Sequence, residues 1–508
     1  MKHVCLLWRT PLAAAVALCA VFLVDRNTGW LTRTRTASNS ATHSQPDVTA
    51  VLLNWVRLAN VAQIVSNLCG ASLDGVIKEI VVWNNNFNRP LMDEDFNFTC
   101  SKLRIHNSPE NLYFQARFIA CADASTPYCF IQVFVFFTVG LTSCLTSGED
   151  DDYFVKPEII RSMRARIDTH DIFHLPPDEV LSGHVLSIDS PSTNITFGFS
   201  WLGYGALILR SNAESFLSLL KRIGASEEET KMADNYYSIL SNSIPELWTG
   251  HPIPLFGGGA FTVGEEGVAR NRKHIAAATS YLDRIVTNDF TDAGSVEWPY
   301  VSLPLSPPGP RIERSPCFKR SCVLESTILF LPDQFATGTY RTAADLFSRE
   351  AQLSTALTEQ FTSNYVNHPL FRAVDADPST YFCSFQNAAD GDTLIFDLLD
   401  SVQHLNWTGV EWLWILNSDM APVLKASTFS FSSDKRTWVG SAKSVLCATD
   451  SSLDGPPSSI VECRVPIEGT SLGNARYFRL QLGRAFALPW RVYETWLHGK
   501  EPGLDGEL

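Results

Sequence analysis

Short unbroken apolar runs alternate with stretches whose apolar residues recur every three or four positions in the first third of the chain. Val48–Asn54 is apolar, ends in polar residues and predicts a buried strand. Leu58–Leu68 has helical spacing, residues 76–83 predict a second buried strand, residues 111–122 a helix, and Tyr128–Gln132 a third strand. Strand, helix, strand, helix, strand is the α/β signature, and such sheets bind ligands beyond the C-terminal ends of their strands. Residues 211–223, 227–240 and 274–286 predict further helices, with Ser226 as N-cap and Glu227, Glu228 and Glu229 in the first turn. Residues 250–267, rich in Gly and Pro, predict a loop. Four prolines within 303–310 predict an extended boundary. Beyond about Asn364 the pattern changes to short strands between turns, at 393–399, 412–416, 428–432, 459–466 and 476–483, which predicts a β-sandwich. The expected order is thus an α/β domain over 48–300, a linker over 301–345 and an all-β sandwich over 346–508.

The chain has 508 residues with a net charge of −14. An acidic balance argues against a nucleic-acid partner, whose phosphates demand clustered Lys and Arg. Lys2 and Arg9 flank the start of an apolar run at 11–24 that predicts an uncleaved signal anchor over 1–26, with a cleaved signal peptide as the rival reading. Residues 27–47, rich in Ser and Thr, predict a flexible stem. The expectation is a single-pass type II protein of the Golgi or endoplasmic reticulum membrane, with its folded part in the lumen. Sequons at Asn97, Asn194 and Asn406 suit that compartment. Among twelve Cys there is no CxxC pair. Cys317 with Cys322 and Cys447 with Cys463 are expected local disulfides, and free buried thiols are the alternative.

Residues 133–149 fit none of this. They read as a buried strand plus loop, as a second membrane span, or as an unspliced intron: Val codons begin with GT, one Glu codon ends in AG, and removal would join Gln132 directly to Asp150. Sequencing the mature transcript separates the three.

The chemistry lies at the strand ends. Carboxylates at Asp150 and Asp152, first and third of a triplet flanked by apolar residues, can hold a hard divalent cation through oxygen, and that cation would neutralise a diphosphate leaving group. Asn54, Trp55 and Arg57 follow the first strand, and Trp83, Asn84 and Asn85 close the second. Amides can read a base edge, an aromatic can stack on it and Arg can meet phosphate.

The ordered set Val51-Leu52-Leu53-Asn54-Trp55, Glu79-Ile80-Val81-Val82-Trp83-Asn84-Asn85, the stretch from Asn111 to Phe118 and the Asp triplet resembles the exostosin-like glycosyltransferase domain (glycosyltransferase family 64), over roughly residues 48–286. The resemblance implies a GT-A fold and a UDP-sugar donor, with GlcNAc the better-known sugar. It implies Mn²⁺ on Asp150 and Asp152, with Asp151 facing the donor sugar. It carries nucleotide contacts to Arg57, Asn85, Asn111 and Arg117. The family's acidic residue ahead of an apolar helix falls on Asp234, and its diphosphate arginine on Arg270 or Arg272. It implies transfer with retention to a glycan, glycoprotein or glycolipid acceptor. Two departures stand out: the insertion at 133–149, and aromatics after Asp234 where the family is aliphatic. Ala373-Val374-Asp375-Ala376-Asp377-Pro378-Ser379-Thr380-Tyr381-Phe382, Gly391-Asp392 and Phe429 to Asp434 resemble discoidin-like (coagulation factor 5/8 C-type) sandwiches, which bind carbohydrate or lipid headgroups. Trp412, Trp414, Trp438 and Trp490 are then either core residues or sugar platforms. The reading from another class is a non-catalytic glycan-binding secretory or cell-surface protein with a relic GT-A domain.

Overall fold

The computed structural model describes residues 45–132, 152–168, 170–180, 188–190, 195–251, 253–255, 264–287, 298–302, 312–328, 359–441, 444–449, 460–469 and 471–500. The expected anchor, the stem up to residue 44, the insertion, and Asp150 and Asp151 lie outside them. Among the described residues no helix is long and apolar enough to cross a membrane.

The first half builds β1 (Val48–Asn54), α1 (Leu58–Leu68), β2 (Ile77–Asn84), β3 (Leu103–Asn107), α2 (Gln115–Ala122), β4 (Tyr128–Gln132), β5 (Asp152–Phe154), α3 (Pro157–Arg166), β6 (Ile172–Leu175), α4 (Pro177–Val180), β7 (Ile188–Ser190), β8 (Ile195–Phe197), β9 (Ala206–Leu209), α5 (Arg210–Arg222), α6 (Glu227–Lys231), α7 (Asp234–Leu240), β10 (Glu246–Thr249), β11 (Ile253–Leu255) and α8 (Gly264–Val286). Seven strands form one sheet in the order β10-β6-β9-β4-β1-β2-β3, parallel except for β9. Side chains alternate across such a sheet. Ala50, Leu52, Ile80 and Val82 therefore meet Val61, Ile64, Ile160 and Met163 of α1 and α3. Val51, Val81 and Trp83 meet Ala116 and Ala120 of α2 on the other face. Both faces are dry, which is why β1 and β2 read as unbroken apolar runs.

Two local readings change. Asn111 lies ahead of the helix, which begins at Gln115. The stretch 227–240 is two helices, because the backbone leaves the helical region at Met232. Ser226 does cap the first, accepting from the Glu229 amide while Glu229 accepts from Ser226 N.

The second half is the expected all-β sandwich, so the fold class is an α/β domain with a largely parallel sheet followed by a β-sandwich. Its strands are β12 (Glu313–Pro316), β13 (Val323–Ser326), β14 (Phe382–Asn387), β15 (Thr393–Asp397), β16 (Gly409–Asn417), β17 (Ser427–Ser432), β18 (Val439–Gly440), β19 (Leu446–Thr449), β20 (Ile460–Ile467), β21 (Tyr477–Leu482) and β22 (Pro489–Lys500). They form sheets ordered β12-β13-β15-β21-β17-β18 and β14-β22-β16-β20-β19. The segment read as a linker carries β12 and β13, whose register runs antiparallel onto β15. Trp412, Trp414 and Trp490 are fully buried between the sheets and are core residues. Trp438 is half-buried, with the Arg479 guanidinium 4.2 Å from its ring centroid.

Four disulfides occur among the described residues: the two expected, Cys317–Cys322 and Cys447–Cys463, and two between elements, Cys69–Cys100 and Cys121–Cys129. The second of these ties the end of α2 to β4. Asn97 and Asn406 are exposed, as glycan acceptors must be.

His174 of β6 is fully buried, its Nδ1 3.2 Å from the Tyr204 carbonyl and its Nε2 against Gly250, where a Cβ would come within 2.2 Å. Burial pushes its pKa down to about 4, with the Tyr204 bond opposing. The folded state keeps this imidazole neutral, while the unfolded chain protonates it near 6.5. Stability contributed above pH 6.5 should therefore be lost as pH falls from 6.5 towards 4, by up to about 1.4 kcal/mol per pH unit. Urea midpoints across that window test this; His174→Gln should flatten the slope.

Candidate functional site

The parallel strands β1, β2 and β3 end in register on three asparagines, Asn54 opposite Asn84 and Asn84 opposite Asn107. Their amides form a ladder: Asn54 Nδ2 donates to Asn84 Oδ1 at 2.8 Å, and Asn84 Nδ2 to Asn107 Oδ1 at 2.9 Å. Asn107 was not read from the sequence, because β3 is a five-residue edge strand with polar neighbours. The ladder holds the strand ends together where ligands of open α/β sheets sit. Trp55 and Phe87, just past β1 and β2, are 43% and 49% exposed with ring centroids 6.3 Å apart, and Asn86 Nδ2 holds the Trp55 carbonyl at 2.8 Å. Their planes are tilted by 51°, so they offer two separate exposed aromatic faces at the rim.

Asn85 and Asn111 converge on one loop. Asn85 donates through Nδ2 to the Tyr113 carbonyl at 3.1 Å and accepts from Leu112 N, while Asn111 Oδ1 accepts from Tyr113 N at 2.9 Å. Tyr113 sits at φ +48, a left-handed backbone costing a non-glycine residue about 1–2 kcal/mol. Both asparagines spend these bonds on holding that turn, which aims α2 and its Arg117. Arg57 lies half-buried at the start of α1. Arg270 of α8 is half-buried; burial lowers its pKa, with the Tyr113 phenol and Glu266 opposing. Arg272, two residues on, is exposed. The structure thus brings Asn85, Asn111 and Arg270 around the Tyr113 loop and leaves Arg272 outside it.

Arg117 and Asp234, read separately from the sequence, are partners. Both are fully buried, and Arg117 Nη1 donates to Asp234 Oδ2. Burial pushes the Asp234 carboxyl up to about 6, with Arg117 opposing, and lowers the Arg117 pKa, with Asp234 opposing.

The Asp triplet leads into β5, which pairs antiparallel with β11 from the stretch read as a loop. Asp150 and Asp151 are outside the described residues, as is the side chain of Asp152. Among the described residues no group of three or more His, Cys, Asp or Glu is placed to hold a metal. One contact places the residue that follows the triplet: Gln132 Nε2, at the last residue of β4, donates to the Tyr153 carbonyl. The chain therefore leaves β4 before the insertion and returns beside the same strand end after it. Val155, next on, packs against Gly205, whose φ of +109 and lack of a Cβ allow the approach; a Cβ there would lie 2.7 Å from Val155 Cγ2.

Because Gln132 and Tyr153 meet, the fold is expected to close without the insertion. Without 133–149, Asp150-Asp151-Asp152 would bridge Gln132 to Tyr153, and three residues span roughly 10 Å. Closing a far shorter loop should raise stability by roughly 1–2 kcal/mol. A chain lacking the segment is expected to melt cooperatively at or above the full-length temperature; loss of the transition would overturn this.

No family model and no curated protein matches the chain. Among solved structures, the mannosyltransferase PcManGT from Pyrobaculum calidifontis, in complex with GDP-Man and Mn²⁺, is 13% identical over 69% of this chain and 93% of that one, with a TM-score of 0.26. CBM32-1 from a family 31 glycoside hydrolase from Clostridium perfringens is 18% identical over 24% of this chain and 80% of that one, with a TM-score of 0.17. Likenesses this slight carry no argument about function.

Proposed function

We propose that the chain is a metal-dependent glycosyltransferase moving a sugar, GlcNAc in the first instance, from a UDP-sugar to a glycan, glycoprotein or glycolipid. The observation that supports this reading is convergence: the asparagine-locked ends of β1–β3, the Tyr113 loop that Asn85 holds beside them, and the contact of Tyr153, which follows the Asp triplet in sequence, with Gln132 at the end of β4. Asp150 and Asp152 would hold Mn²⁺, which supplies charge to stabilise the departing diphosphate. Trp55 and Phe87 offer a stacking surface for the base. Arg57 and Arg270 meet phosphate charge, with Arg270 preferred to the exposed Arg272. Asp151 faces the sugar, and Asp234 acts beside it. With the anomeric configuration retained, no strong base is required, and the chain's work is electrostatic and positional. A Golgi or endoplasmic reticulum location, with the N-terminal segment as anchor, belongs to the same proposal.

Calorimetry of UDP against the full chain tests it. Binding should require Mn²⁺, and Asp152→Asn, which keeps the size and shape of the side chain, should weaken it at least tenfold while the melting curve barely moves. UDP affinity indifferent to both EDTA and the substitution would overturn the metal role. Binding of UDP-GlcNAc with no UDP release across an acceptor panel would favour the relic, glycan-binding reading.

A further inference from the structure

Asp171 stands immediately before β6 and Pro245 immediately before β10, and these two strands run parallel. Because β9 is antiparallel to both β4 and β6, their starts lie at the sheet edge opposite the one where β1–β3 end on asparagines. Between them opens a cavity of about 230 Å³, with Asp171, Phe173, Asn212, Ser238, Ser243 and Tyr300 in its walls. That is smaller than the roughly 300–1,000 Å³ of ordinary ligand pockets, so it admits only a small molecule. Residues 298–302 close one side. Ser302 N donates to the Ser241 carbonyl at 2.8 Å, and Asn242 Nδ2 donates to the Ser302 carbonyl at 2.6 Å. Tyr300 holds φ +72 there, a left-handed backbone that a bulky residue keeps only where its surroundings impose it.

The hydrogens of the wall are spent on the protein itself. Leu209 N and Asn212 Nδ2 donate to Asp171 Oδ1 at 2.9 and 3.0 Å, and the Tyr237 hydroxyl donates to Oδ2 at 2.7 Å. The Tyr300 hydroxyl donates to the Tyr237 carbonyl at 2.9 Å. Ser241 Oγ donates to the Ser238 carbonyl at 2.7 Å, so in its 2.9 Å contact with Ser243 the hydrogen comes from Ser243. Lone pairs are what remain: one of the roughly four acceptor positions of the Asp171 carboxylate, Asn212 Oδ1 and Ser243 Oγ. The Asn212 amide is fixed in this sense, since an ionised Asp171 only accepts. Among the described residues no Lys or Arg lines the cavity, and His170 stands at its exposed mouth. Burial raises the Asp171 pKa, with the Tyr237, Leu209 and Asn212 bonds opposing; a cation beside the carboxylate would oppose it further.

This excess of acceptors selects the guest. An anion would meet the carboxylate. A neutral polyol would set its own lone pairs against those of the wall, and an apolar guest would leave them all unbonded. Ca²⁺ takes about six to eight oxygens, often from several carboxylates, and Asp171 is the one carboxylate here. A primary ammonium brings three donors, no acceptor and a positive charge, and the Phe173 and Tyr300 rings in the wall attract a cation. We propose that the cavity between the starts of β6 and β10 is a binding site for a small primary amine, its ammonium held by Asp171, Asn212 Oδ1 and Ser243 Oγ. Lying at the opposite edge of the sheet, the site takes a ligand separate from the nucleotide-sugar, and the inference does not depend on the glycosyltransferase reading.

The test titrates two matched pairs of probes into the full chain at pH 7, followed by saturation-transfer NMR and calorimetry: ethanolamine against ethylene glycol, and glucosamine against glucose. Each pair exchanges an ammonium for a hydroxyl. At least one amine should bind tenfold or more tighter than its hydroxyl partner, and the tighter amine tells a linear ligand from an amino sugar. Asp171→Asn, which keeps the shape and removes the charge, should erase that advantage. Ser243→Leu, on the half-buried wall, leaves Asp171 intact and should weaken the same amine at least tenfold by filling the cavity, so the proposal stays testable if Asp171→Asn folds poorly. Hydroxyl partners that bind as tightly as the amines would overturn the proposal, as would an amine advantage unchanged in both variants. Absence of binding by either amine at millimolar concentration, or Ca²⁺ binding lost in Asp171→Asn without amine binding in wild type, would overturn it too.

Discussion

Replacing Arg166 by Met should destabilise the folded chain by about 3–5 kcal/mol, the loss expected when a buried ion pair loses one partner and the other charges stay behind. Arg166 stands at the end of α3, and its guanidinium reaches three carboxylates from three other strands. Nε meets Glu246 of β10 at 3.1 Å, Nη2 meets Glu325 of β13 at 2.8 Å, and Nη1 donates to Asp397 of β15. Glu325 and Asp397 are wholly buried. Burial opposes the Arg166 charge, but Glu246, Glu325 and Asp397 outweigh it and raise its pKa. Arg476 grips Asp397 through two nitrogens at 2.6 and 2.9 Å, Lys435 donates to Glu325, and Arg314 lies 3.5 Å from the same carboxylate. Because the cluster joins the α/β half to the first sheet of the sandwich, the variant should also loosen their coupling. The expected signature is a lowered midpoint with a second transition in calorimetry. A single transition within about 1 kcal/mol of wild type would refute it. Arg166→Lys should recover little, since one ammonium cannot reach three carboxylates in a planar fork.

The second large effect is expected at Arg117. Arg117→Met strands the buried Asp234 carboxylate and should cost a similar ~3–5 kcal/mol at pH 7. Asp234, already raised to about 6 by burial against the pull of Arg117, rises further without it, so the variant should regain stability as pH falls, starting above pH 6 and finishing near the unfolded carboxylate value of about 3.9. The sign is opposite to that expected from His174, so the comparison is made on a His174→Gln background. The double variant Arg117→Met with Asp234→Leu should lie closer to wild type than either single one. Chemical denaturation of the four chains gives the coupling energy; additive losses would mean the two side chains do not depend on one another.

What was legible in the sequence was what local pattern governs. β1, α1 and β4 keep the bounds their apolar runs and helical spacing predict, because a strand buried on both faces and an amphipathic helix each write their environment into neighbouring residues. Ser226 is a cap because its partner Glu229 is three residues away. The sandwich strands were readable from turn spacing, and Cys317–Cys322 and Cys447–Cys463 from proximity along the chain. Only the tertiary structure could decide what rests on residues far apart. The 301–345 segment reads as a linker from its prolines, yet 313–326 supplies two strands whose partner lies about 70 residues on. Arg117 and Asp234 are unremarkable singly; their pairing across 117 positions, the amide ladder from Asn54 to Asn107 and the contact of Gln132 with Tyr153 arise only when the sheet edge assembles. A side chain's burial is set by what packs over it from elsewhere in the chain, so sequence names the residue types able to do chemistry and the fold determines which of them face one another.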